Sequence, residues 1–328
     1  MKVIRNAIHL IRFRPKLFFS FILFNLIFFL APLGSSLIIG EIFNQLQEIP
    51  TIEIKISSLI ILLSVTHIIQ IIAFVMFVIF FISFLMKVKT LLRQNLMQDI
   101  LQIPGAQPLS YTTGEAVSRF RGDVDTVGDF NIFMGRMITF GLFALIAMVI
   151  MFNLNSMVAL FILIPFLFLI FMIIILRRKM TQFNKASRRA TGRVTSAINE
   201  IFTSIRAIKV NCAETDIASH FNELNRVRKK ATVKDETILQ IVRSMYGVTA
   251  SISVGIMFFI IPMQLANGEF TVGNIFIFTY LIGWLTGFIG SIGEFYAFLQ
   301  RARVSYGRME KLTKQKSSEL VAHNKIYL

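Results

Sequence analysis

Long apolar stretches, almost free of charge, recur six times along this chain, at about 17–43, 58–86, 137–153, 156–176, 244–265 and 274–299. Only Glu41 in the first and Glu294 in the last interrupt them with a charge. A helix needs about 20 such residues to cross the hydrocarbon layer of a bilayer. Lipid offers backbone N–H and C=O groups no partner, so each stretch is predicted to be a helix. The runs are continuous rather than alternating, which excludes an outer-membrane type of barrel. The first run is too long for a cleavable leader and has no small-residue cleavage site, so it reads as a permanent span.

The segments between the runs alternate between minimal and extended. Asn153 to Ser156 and Asn267-Gly268-Glu269 read as tight turns on one side. On the other side the two connections are each about fifty to sixty-five residues long and keep a helical pattern. Span two is predicted to run from Lys55 to Ile103, roughly 70 Å at 1.5 Å per residue. Span four is expected to continue to about Val210, and span five to begin near Glu223. Pro104-Gly105 and Pro108 should stop the first long helix. Thr112-x-x-Glu115 then has the spacing of a capping box, opening a short helix that ends near Gly122, with Asp123 capping the return helix. Asn211 and Glu214 repeat that spacing and predict a short helix through Asp216 to Phe221. Each inner connection thus reads as a long helix out, a short helix at the tip and a long helix back. Such hairpins could stabilise the bundle or serve as handles for a cytosolic partner, and the residues alone leave both readings open.

Composition agrees with the pattern: 55% of the 328 residues are hydrophobic and 16% are charged. A soluble core could not hide so much apolar surface. The formal charge of +16 invites a nucleic-acid reading until the cations are placed. The four segments on one side of the spans hold 33 of the 34 Lys and Arg, and the other side holds only Lys55. That is the positive-inside asymmetry, with both termini cytoplasmic. It accounts for the charge through anionic lipid headgroups, and no nucleic-acid-binding module is present. One cysteine, Cys212, excludes an intrachain disulfide framework. His9, His67, His220 and His323 have no ligand spacing, so no metal site and no catalytic set is expected.

The connections also carry a resemblance. Thr113-Gly114-Glu115-Ala116-Val117-Ser118-Arg119-Phe120, followed by Asp123-Val124-Asp125-Thr126-Val127, is similar to the first coupling-helix region of ABC exporters of the six-helix type. Ile205-Arg206-Ala207-Ile208-Lys209-Val210, with Glu214 through His220-Phe221, resembles the second. Phe270-Thr271-Val272-Gly273-Asn274 resembles the entry to the last span, and Arg303 through Leu312 the stretch leading towards a nucleotide-binding domain. The resemblance implies an all-α membrane protein: six long transmembrane helices with two cytoplasmic helical hairpins, in a domain-swapped dimer. Residues 1–310 would form the six-span domain and 311–328 a basic cytoplasmic tail. Contacts with the ATPase would fall on Thr113, Gly114, Glu115, Arg119, Glu214 and Asp216.

This sequence departs from that family in having no G-x-x-x-x-G-K-[ST] phosphate loop and no LSGGQ-like signature. ATP and Mg are therefore expected on a partner ATPase, carried by a separate chain or a further domain, and this chain is expected not to be an enzyme. The implied function is the permease subunit of an ATP-driven exporter in the bacterial inner membrane. A proton-coupled transporter on the same scaffold, or a non-transporting docking scaffold, would fit the same spans. In span six Gly283, Gly287, Gly290 and Glu294 share one helical stripe. The stripe suits close helix packing; with Trp284 beside it and a carboxylate in it, it also suits a translocation path. Pro32, Pro165 and Pro262 are candidate kinks, and His67 with Gln70 is predicted to bond a neighbouring helix.

Overall fold

The computed structural model describes residues 2–102, 112–266, 270–313 and 317–322, which form helices and no strand. Six helices are long and apolar enough to cross a membrane. They are α2 (Pro15–Leu46), α3 (Ile56–Leu101), α5 (Val124–Leu154), α6 (Ser156–Thr203), α8 (Glu214–Ala266) and α9 (Val272–Thr313). Shorter helices are α1 (Lys2–Phe13), α4 (Thr113–Ser118), α7 (Ile205–Val210) and α10 (Ser317–Leu320).

The long helices behave as their apolar runs require, and most boundaries fall within a few residues of expectation. Helix α3 starts just after Lys55, and Pro32, Pro165 and Pro262 all lie inside helices. Four expectations are corrected. The turn at Asn153 to Ser156 shrinks to Asn155 alone, whose extended backbone separates α5 from α6. Gly122 does not end a helix: α4 passes through a five-residue π-helical turn, Arg119–Asp123, directly into α5, and Asp123 makes no cap. In the second connection the short helix precedes the break instead of following it. Residues 214–221 are the first turns of α8, which runs 53 residues without interruption. His67 donates from Nδ1 to the carbonyl of Leu63 in its own helix, 2.8 Å away, rather than to a neighbour. The breakers Pro104-Gly105 and Pro108 and the turn at 267–269 lie outside the described residues.

Helix α1 is an addition to the expected elements. Val3, Asn6, Ala7 and Leu10 are buried at the spacing of one helical face, while Lys2, Arg5 and Arg12 are exposed. It ends because Pro15 disfavours a helical conformation at Arg14 (φ −138°, ψ 67°) and then starts α2 as its first residue.

The chain divides into two compact units, Met1–Ser156 with Ile261–Leu328, and Met157–Ile260. In the first, two antiparallel aromatic ladders join the helices. Phe18–Phe84, Phe24–Phe80 and Phe28–Phe74 couple α2 to α3, with Phe24 and Phe80 stacked at 5.5 Å. Phe133–Phe298, Phe140–Phe288 and Phe143–Trp284 couple α5 to α9, the first pair stacked at 4.6 Å. Phe29 of α2 stacks on Phe140 and closes the three-helix centre. Each such pair contributes about 0.5–1.5 kcal/mol beyond its buried area. Between apolar helices in lipid no hydrophobic driving force acts, so this packing is what associates them. Asn25 adds a buried hydrogen bond to Thr139 across α2 and α5.

At the end of the first unit away from α4, α2 and α9 touch backbone to backbone. The Gly273 N–H donates to Asn44 Oδ1 at 3.1 Å, and Glu41 Oε1 accepts from the N–H groups of Thr51 and Ile52, each at 3.0 Å. That explains why a carboxylate tolerates burial near the end of span one.

In the second unit α6 and α8 form a hairpin. Ser187, Ala190, Val194 and Ala197 make a buried seam on α6. Ser253 Oγ donates to the carbonyl of Ile162 at 3.2 Å, and Asn184 Nδ2 to Asp235 Oδ2 at 3.2 Å.

A Cβ at Gly273 would overlap the Gly40 carbonyl and the Asn44 side chain, whereas one at Gly192 would meet no atom within 4 Å. Gly273→Val is therefore expected to destabilise the protein by about 1–3 kcal/mol, the usual range for overpacking, visible as a lower thermal midpoint in detergent. Gly192→Ala should leave that midpoint unchanged or raise it, since alanine favours a helix interior over glycine, and an unchanged midpoint for Gly273→Val would refute the close approach.

Candidate functional site

The two hairpin tips are built differently. At the first, Thr112 Oγ1 accepts from the Glu115 N–H at 3.3 Å, so the expected cap of α4 is present. Thr113 opens the helix, and Gly114 and Glu115 are exposed. Arg119 turns inwards: it is 8% exposed, its guanidinium donates to the Arg308 carbonyl at 3.1 Å, and Glu115 lies 3.6 Å away. The π turn makes this possible, because one extra residue per turn rotates Arg119 and Asp123 to the buried side. Asp123 is buried as well and faces the Arg308 guanidinium at 3.7 Å. The tip is thus held from both sides of the π turn by one residue of α9.

Below it, charge replaces aromatic packing between α3 and α5. Lys89 Nζ sits 3.1 Å from both Asp125 and Asp129, and Arg93 reaches Asp125 at 3.2 Å. Arg93 Nε also donates to the Phe120 carbonyl inside the π turn. The matched i, i+4 spacing of Lys89/Arg93 and Asp125/Asp129 was the available signal for this lattice. No comparable signal marks the contact of the tail. Asn95 Nδ2 donates to the carbonyls of Leu320 and Ala322 at 2.8 and 2.7 Å, and Leu320 and Val321 enter the core of the first unit. Nearby, burial pushes the Tyr306 phenol pKa up.

At the second tip α7 ends in a Schellman motif. The N–H of Ala213 bonds the Ile208 carbonyl at 3.1 Å and that of Cys212 the Lys209 carbonyl at 3.3 Å. Cys212 takes the left-handed position (φ 50°) usually given to glycine, which hid the motif in the sequence. Asn211, read as a cap, instead donates its side chain back to the Ala207 carbonyl. Glu214 and Asp216 are exposed in the first turn of α8, where carboxylates suit the helix dipole. Beside them α6, α7 and α8 enclose a cleft of about 190 Å³, reached by Glu200, Ile208, Ile217 and His220. Farther along α8, the Arg226 hydrogen bond holds the Glu223 carboxyl below its ordinary pKa.

On α9 the four path candidates separate. Gly283 and Glu294 are exposed, and a Cβ on Gly283 would meet nothing within 4 Å. Gly287 is exposed beside Phe140. Trp284 turns the other way, half-buried against Phe29, Phe140 and Phe143. Within the first unit, then, the glycine stripe packs on no neighbouring helix except at Gly287, and the tryptophan is a ladder rung.

Because Arg119 holds the π turn to α9, Arg119→Ala should raise amide hydrogen exchange across residues 112–123. About 1–3 kcal/mol of local stability is at stake, the cost of stranding buried partners. Glu115→Ala, which removes only the outer carboxylate beside the Arg119 guanidinium, should raise that exchange less; unchanged exchange in Arg119→Ala would show that the anchor carries no energy.

No curated protein matches the chain. A family match does exist: residues 16–289 fit the family described as the ABC transporter transmembrane region. That span runs from the start of α2 into the first half of α9 and takes in both hairpin tips, leaving out α1, α10 and residues 290–313 of α9, and this chain belongs to the ABC transporter transmembrane family.

Proposed function

We propose that this chain is the permease subunit of an ATP-driven ABC exporter, working by alternating access while ATP and Mg are bound and hydrolysed on a partner ATPase. The observation that carries this reading is the pair of tips. Each sits at the end of helices far longer than a membrane span: α3 and α8, at 46 and 53 residues, extend roughly 70–80 Å. The first tip is clamped to α3 and α9, so a displacement there moves the spans as levers and is not absorbed locally. Gly114, Glu115, Glu214 and Asp216 form the exposed contacts to the ATPase, and Arg119 transmits load from the first tip into α9.

A second transmembrane subunit, identical or different, completes the pore. The separate compactness of residues 157–260 supports exchange of that hairpin between subunits. Placement of 33 of 34 cations on one side supports an inner-membrane protein with both termini cytoplasmic. The exposed α9 face of Gly283, Gly287 and Glu294 would line the path.

Cys212, the one cysteine, lies exposed at the second tip and serves as a native labelling site. In the complex isolated from its host membranes, spin labels on Cys212 of the two subunits should change separation when ATP and vanadate are added. Glu214→Ala with Asp216→Ala should lower transport by about tenfold, equivalent to ~1.4 kcal/mol of coupling, with membrane insertion retained. Absence of ATPase activity in the isolated complex, or an unchanged label separation during hydrolysis, would overturn the proposal.

A further inference from the structure

We infer that the elbow between α1 and α2 binds one anionic phospholipid, its phosphate held among Arg14, Lys16 and Lys87. A cavity of about 600 Å³ opens at this elbow, with Phe13 and Leu17 as apolar walls and Ser83 as a further hydroxyl donor. That volume falls in the range of small-molecule sites. Arg14, Lys16 and Lys87 are exposed, and none forms an ion pair among the described residues. No carboxylate is near in sequence either: the first acidic residue of the chain is Glu41, and the first on α3 is Asp99. Arg14 also lies over the Phe13 ring, 5.1 Å from its centroid, which fixes one wall. Arg14 is the N-cap of α2 and makes no side-chain cap, so the positive end of the α2 dipole adds to the same potential.

Depth selects a lipid over a soluble anion. Lys16 immediately precedes the uncharged run that begins at Leu17, and Lys87 is the first charge after the uncharged run Ile56–Met86. The Phe18–Phe84 pair, centroids 5.3 Å apart, places the two lysines at one level, where apolar surface gives way to charge. That level is the headgroup region. Helix α1 packs its Val3, Ala7 and Leu10 face into the protein and leaves Ile4 and Ile8 exposed beside Arg5 and Arg12. On α2, Phe19 and Leu23 follow Lys16 at i+3 and i+7 and are 63% and 54% exposed, so an apolar track leads from the cations towards the hydrocarbon. A phosphate above and an acyl chain along that track satisfy both surfaces. A net negative headgroup is required, because a choline would place a cation against three others.

Native mass spectrometry of the full chain with phosphatidylglycerol or phosphatidylcholine tests this directly. It reads lipid retention and not transport, so its outcome is independent of the exporter reading. One phosphatidylglycerol per chain should be retained in preference to phosphatidylcholine, and excess inorganic phosphate should not displace it. Arg14→Gln/Lys16→Gln/Lys87→Gln should weaken retention on the order of 100-fold, as expected for three surface cations. Arg228→Gln/Lys229→Gln/Lys230→Gln, the same charge change on exposed residues well outside the apolar runs, should have no effect. Equal retention of both lipids, unchanged retention in the first triple variant, or displacement by inorganic phosphate would each overturn the site. Circular dichroism of the two variants separates lost binding from lost folding, since all six positions are exposed.

Discussion

Hydrocarbon cannot satisfy a backbone hydrogen bond, and every other feature of this protein follows from that constraint. Six segments must be helical wherever they meet lipid. A helix begun in the membrane also has no reason to stop at its surface unless a breaker or a cap intervenes. Here four of the six run beyond 40 residues. The constraint leaves the helices without a hydrophobic reason to associate, so packing must do that work. The 34 phenylalanines, which would otherwise read as generic lipid-facing bulk, include the rungs of two ladders. Tight glycine contacts do the same at the opposite end, where Gly40 and Gly273 bring two backbones together.

Beyond the apolar zone the means of association changes. Water gives apolar faces a reason to be buried, so Val88, Leu92, Leu96, Val124 and Met309 stay in the core there. Charged groups now fit at its edge, where Lys89, Arg93, Asp125, Asp123 and Arg308 join α3, α5 and α9. Several pairs sharing partners make a lattice worth more than isolated surface pairs. The π turn is central to it, because it faces Arg119 and Asp123 inwards while leaving Gly114 and Glu115 outside. A stiff lever with an exposed tip and an anchored root results.

Much of this was legible in the residues. The six spans, the lengths of the inner helices and the Thr112 cap are local properties, written in apolar period and cap spacing. Four readings failed. Asp123 and Asn211 were each read as a helix cap, and Arg308 or the Ala207 carbonyl took the side chain instead. His67 was read as bonding a neighbouring helix, and the Leu63 carbonyl one turn away in its own helix took that bond. The helix end near Gly122 was read together with Asp123 as the cap of a separate return helix, and the π turn anchored by Arg308 carries the chain through without a break. The Schellman turn went unseen because Cys212 occupies a position where glycine is the usual marker.

By itself, the sequence determined that this chain lives in lipid, how many times it crosses, and which side carries the charge, since these depend on composition and period along one dimension. The tertiary structure alone decided which faces meet. It made Trp284 a ladder rung, left Gly283 open, turned Arg119 from a tip residue into an anchor, and gathered Arg14, Lys16 and Lys87 round one cavity. Those outcomes depend on rotation of one helix against another. A few degrees of helical phase, set by aromatic rungs and one π turn, are invisible to any count of apolar residues.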